Sequence, residues 1–121
     1  MRNNRRNSSS PQGRKARWPP SKRRLRQLVE DAVVDAYTES EQRTGFFTLI
    51  EDHLALPFDT ELLGVTVSVE RIDLTVAGEI VAISRRGSKR QSIPILDLPL
   101  PKPPPAGAEC IEAYRLWAKG A

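Results

Sequence analysis

The chain of 121 residues is one domain's worth, and its formal net charge of +4 is the sum of two unlike parts. Residues 1–26 carry ten Lys or Arg and no acid, while residues 27–121 carry nine Lys or Arg against all fifteen Asp and Glu, a net of −6. A single cysteine, Cys110, excludes an internal disulfide framework and a cysteine-rich zinc site, and no apolar run approaches the roughly 18–20 residues that span a bilayer. With no secretory pattern at the N-terminus, the expected location is cytoplasmic.

Residues 1–20 are Asn, Ser, Arg and Pro with almost no core-forming side chain, so burial cannot offset the entropy of ordering them. A disordered basic tail is expected there, with Trp18 as its one large hydrophobe, followed by a single α+β domain over 21–121. Ser21 is a candidate N-cap, and Leu25, Leu28, Val29, Ala32, Val33, Ala36 and Tyr37 follow helical spacing over three turns. Lys22, Arg23, Arg24 and Arg26 then sit at the positive end of the helix dipole, so the first turn either frays or meets a negative partner. Thr38 and Glu41 fit a capping box that opens a second helix to about Leu54, with Phe46, Leu49, Ile50 and His53 on one face. Gly45 should weaken that helix by roughly 1 kcal/mol relative to alanine.

A β region follows. Val65, Val67 and Val69 alternate with polar residues, whereas Ile72 and Leu74 fall on the opposite phase, which predicts a bulge near Glu70-Arg71. Turns at Ala77-Gly78 and Arg86-Gly87-Ser88 divide off strands over 79–86 and 90–97, giving a meander of three short strands. Prolines 99, 101 and 103–105 impose an extended connector. A last helix over about 108–118 places Ile111, Tyr114 and Trp117 on one stripe.

His53 and Cys110 are the sole candidates for a thiol–imidazole pair, and nothing local marks the thiol as a nucleophile. With no Gly-rich phosphate loop, zinc spacing or nucleophile elbow, an enzyme is not expected. The carboxylates carry more. Glu51, Asp52, Asp59 and Glu61 crowd into EDHLALPFDTE, read as a helix end and the loop beyond it. Calcium takes six to eight hard oxygen ligands, and Asp59 and Glu61 would share one side if the loop runs extended. Glu70, Asp73 and Asp97 lie at predicted strand ends. The EF-hand pattern is absent, and spacing alone favours reading these acids as solvated surface groups.

In the basic arm, Arg5, Arg6, Arg14, Lys15, Arg17, Lys22, Arg23 and Arg24 are candidate phosphate contacts for nucleic acid, or contacts for an acidic protein. The alternative is a solubilising extension. Arg85, Arg86, Lys89 and Arg90 flank a turn that reads as a solvated hairpin tip.

The stretches GFFTLIEDHLALPF, ELLGVTVSVERIDL, EIVAISRRG, RQSIPILDLPLP and PPPAGAECIEAYRLWA together resemble the small bacterial calcium-binding proteins typified by cyanobacterial CcbP, over roughly residues 37–119. That resemblance implies a small, SH3-like curved antiparallel sheet within an α+β domain, and Ca²⁺ binding by carboxylates as buffer or sensor. Carried onto the motifs, its acids are Glu51, Asp52, Asp59, Glu61, Asp73 and Asp97. Ser84 stands where the pattern leads one to expect cysteine, and Cys110 where it leads one to expect tryptophan, a loss that would loosen the last helix.

Overall fold

The computed structural model describes residues 18–120. Residues 1–17, and with them most of the expected tail, lie outside that range. The Ser21 hydroxyl accepts the Arg24 N–H at 3.0 Å and opens α1 (Lys22–Val33), which buries Leu28 and Ala32. Its cationic first turn meets a negative partner, Glu109, through Arg24 at 3.6 Å. The helix stops at Val33, so Ala36 and Tyr37 do not extend it as their spacing predicts, and Tyr37 is 86% exposed. The reason lies in the next element. Helix α2 (Glu39–His53) begins with the expected capping box, in which Thr38 accepts the Glu41 N–H and the Glu41 carboxylate accepts the N–H groups of Thr38 and Tyr37. Those two bonds require the chain before Glu39 to be non-helical. They also hold the Glu41 carboxyl below its ordinary pKa, the Tyr37 N–H contributing most.

Phe46 and Ile50 are fully buried on α2, whereas Leu49 is half-buried and His53 exposed. Gly45 is not the weak point its helix propensity suggests. A Cβ at this position would overlap the Ala32 carbonyl, so glycine is what lets α1 and α2 approach.

Four strands follow rather than three: β1 (Phe58–Leu62), β2 (Val65–Leu74), β3 (Ile80–Arg86) and β4 (Lys89–Pro94), an antiparallel meander in the order β1-β2-β3-β4. The sheet is open, with β1 and β4 as its edges. The segment read as a loop is β1, turned back by Leu63-Gly64, both at positive φ, as a two-residue hairpin of this twist requires. Its middle residue, Thr60, is polar yet 5% exposed, because its hydroxyl donates to the Pro99 carbonyl at 2.7 Å. The register of β2 on β3 slips between Val69 and Arg71, where the sequence predicts the bulge.

On the inner face Val69, Ile72, Ile80, Ala82 and Ile93 join Leu28, Phe46, Ile50, Ile95 and Ile111 in one core. A 3-10 turn (Ile95–Asp97) replaces the end of the expected last strand. The final helix, α3 (Glu109–Ala118), buries Cys110, Ile111, Ala113 and Tyr114. Cysteine at 110 leaves α3 packed on the core. The thiol is 2% exposed, and Phe46 packs its ring 5.4 Å from Tyr114 and 5.3 Å from Trp117, whose indole N–H donates to Gln42. Gly107, at φ +87°, lets the turn before α3 lie on the backbone of His53 and Leu54, and the Ala55 N–H closes the contact on the Ala106 carbonyl at 2.8 Å.

Candidate functional site

The six candidate acids divide into four places. Asp59 and Glu61 are both exposed, two residues apart in β1, and therefore project from the same outer face of an edge strand. Ser68 and Thr66 of β2 stand directly opposite them. Asp97 ends the 3-10 turn, and the Thr60–Pro99 bond ties the segment just after it to β1. Glu51 and Asp52 are exposed in the last turn of α2, where the negative end of the helix dipole favours a cation, with Leu54–Pro57 between them and β1. Asp73 is not brought to this side. It lies in β2 beyond the reach of β1, opposite Val81, and accepts the Leu74 N–H at 2.9 Å.

Among the described residues none of Glu51, Asp52, Asp59, Glu61, Asp73 and Asp97 enters a salt bridge. No three His, Cys, Asp or Glu among those residues form a group able to hold a metal ion. The donors suit calcium in kind only, being hard carboxylate oxygens beside the backbone carbonyls of the edge strand β1. Asp59 and Glu61 alone would leave the rest of a six- to eight-fold shell to those carbonyls and water. Sequence spacing recognised this pair; it missed that the two residues belong to a strand.

Glu70, the bulged residue, is a different kind of acid. One carboxylate oxygen accepts the Arg90 Nε–H at 2.9 Å, and the other forms an ion pair with Arg85, 2.7 Å from its Nε. The Arg90 hydrogen bond, with the charges of Arg85, Arg90 and Arg71, lowers its pKa and outweighs the opposing effect of burial. A carboxylate so engaged is unavailable to a metal.

The thiol and imidazole do not meet. Burial, reinforced by the charge of Glu109, pushes the Cys110 thiol up to about 12, while His53 Nδ1 lies 2.9 Å from the Leu49 carbonyl. Of the basic-arm candidates, Lys22, Arg23 and Arg24 are exposed in the first turn of α1, and Arg5, Arg6, Arg14, Lys15 and Arg17 lie outside the described residues. No helix among the described residues is long and apolar enough to cross a membrane.

A solved structure described as "Calcium binding protein in the calcium-binding form" is similar in fold, with a TM-score of 0.61 and 16% identity, over 80% of this chain and 91% of the other. No relative of curated function matches significantly. The family model of CcbP-type proteins, described as "Calcium binding", matches residues 26–118, which is most of the chain and nearly all of the described fold. The chain therefore belongs to the CcbP-type calcium-binding family.

Proposed function

We propose that the chain binds Ca²⁺ at the outer face of β1, with Asp59 and Glu61 as the carboxylates that hold it. The observation that carries this reading is their placement: two acids on one side of an edge strand, with no cation bridged to either among the described residues. Asp97 and the α2-terminal pair Glu51 and Asp52 contribute negative potential from the flanks, and Asp73 contributes least. Each carboxylate can give one or two oxygens, and the strand edge supplies carbonyls for an ion that accepts irregular geometry.

A buffer fits this arrangement better than a sensor. The donors stand on the outside of a strand whose inner side is anchored by the Thr60–Pro99 bond, so an ion there changes surface charge more than packing. Titrating Ca²⁺ into ¹⁵N-labelled protein should shift the amides of residues 58–66 first. Shifts absent from that stretch would refute the site.

The basic arm supports a second reading, nucleic acid or an acidic protein held at Lys22, Arg23 and Arg24. Three adjacent exposed cations at the positive end of a helix are locally unfavourable, and Glu109 answers only one of them. Amide shifts at residues 22–24 on adding duplex DNA would support it, and their absence would refute it.

A further inference from the structure

Five of the nine Lys and Arg residues between 27 and 121 lie at one corner of the sheet: Arg71, Arg85, Arg86, Lys89 and Arg90. The β3–β4 hairpin is closed by Gly87-Ser88, with Gly87 at φ +61°, a two-residue turn that holds the flanking strands in one register. That register sets Arg85 opposite Arg90 and Arg86 opposite Lys89. Like charges directly across a ladder destabilise it, so two such pairs in succession are not explained by stability. Glu70 relieves one pair only. Arg86 and Lys89 have no acidic partner among the described residues, and every residue from 85 to 92, RRGSKRQS, is exposed and neither acidic nor apolar.

We propose that this hairpin tip binds the phosphate backbone of nucleic acid. Glu70 accepts the Arg90 Nε–H and forms an ion pair with Arg85, which holds both guanidiniums near it while their terminal Nη groups have no further acidic partner among the described residues. Glu70 is thus a positioning residue, and the Nη groups, with Arg86 and Lys89, are the phosphate donors. Planar guanidinium forks match phosphate oxygens, and a two-stranded ribbon is narrow enough to enter a major groove. A lipid surface is the poorer occupant, because interfacial binding draws on buried apolar area and 85–92 offers none. Asp59 and Glu61 sit on the same outer face, with β2 between them and the hairpin, and repel phosphate from that edge, so the backbone should lie across the tip and not along the sheet. This inference stands apart from calcium binding and does not require it.

The test uses the full chain, with its basic arm, and a fluorescein-labelled mixed-sequence 20-base-pair DNA duplex read by anisotropy over a salt series. Each phosphate contact contributes about −0.9 to the slope of log affinity on log salt. Arg86→Ala with Lys89→Ala should therefore flatten the slope by about 2 without lowering the melting midpoint, and Arg86→Glu with Lys89→Glu should weaken low-salt binding at least tenfold. Amide shifts on adding unlabelled duplex should include 85–92. Identical affinity and slope in the alanine pair, shifts confined to α1 and the arm, or binding to phosphatidylserine vesicles without binding to DNA would each overturn the proposal.

Discussion

The inner and outer faces of the sheet are made by the same strands under opposite demands. On the inner face Val69, Ile72, Ile80, Ala82 and Ile93 share one buried core with residues of all three helices. On the outer face one cross-strand row reads Asp59, Ser68, Arg85, Arg90, with acid at the β1 edge and base at the β3–β4 corner. Charges placed for stability would pair across the ladder. Here β1 carries only acids and the β3–β4 corner only bases, with both signs on β2, and among the described residues Glu70 alone joins opposite signs within the sheet. The difference teaches that volume on the inner face sets stability, whereas the separated charge on the outer face is what the proposed calcium and phosphate sites draw on.

The largest effect that would sharpen this contrast is Gly107→Ala. Its Cβ would overlap the His53 carbonyl and press on Leu54, at a φ that alanine disfavours. A loss of about 3–5 kcal/mol, or no folded protein, is expected in denaturant melts. If alanine is tolerated there, the close approach between the turns before α3 and after α2 is not what holds the helical layer. Next comes the Cys110 thiol. At a pKa of about 12 against the ordinary 9.0, it should present roughly a thousandfold less thiolate than in the unfolded chain. Labelling at neutral pH should then follow global unfolding, and rapid labelling of the native protein would show the core to be open.

Thr38→Ala removes one half of the capping box and should cost about 1 kcal/mol by urea melts. That site also shows what was legible in the chain. The capping box, the Ser21 cap and the bulge at Glu70 are local patterns and read directly. Strand β1 did not read as one, because its middle residue is a threonine whose partner, Pro99, lies 39 positions away. Gly45 misled for the same kind of reason, since its propensity is local and the Ala32 carbonyl it admits is not. Helical spacing overran α1 to Tyr37 because the next helix claims that backbone for its own cap. Of the candidate site, the Asp59–Glu61 pair was visible by spacing. The isolation of Asp73 follows only from the strand register.

Glu70→Gln should have the smallest effect. A carboxylate with a lowered folded-state pKa adds stability that is present above its unfolded value and lost as pH falls through the folded one. The variant should thus melt slightly below wild type near neutral pH, the gap closing in acid. A gap as large as that of Thr38→Ala would mean that the outer-face charges do serve stability.

The central claim is best tested by melting the full chain in millimolar Ca²⁺ and in chelator, beside Asp59→Asn. An ion bound only by the folded state adds about 2.7 kcal/mol at a hundredfold excess over Kd. At up to about 4–8 °C per kcal/mol for small domains, the wild-type midpoint should rise by several degrees or more. Asp59→Asn should match or exceed the metal-free wild type, because Asp59 and Glu61 no longer repel, and should lose most of the calcium-dependent rise. Equal wild-type midpoints in calcium and chelator, or a full rise in Asp59→Asn, would contradict the account.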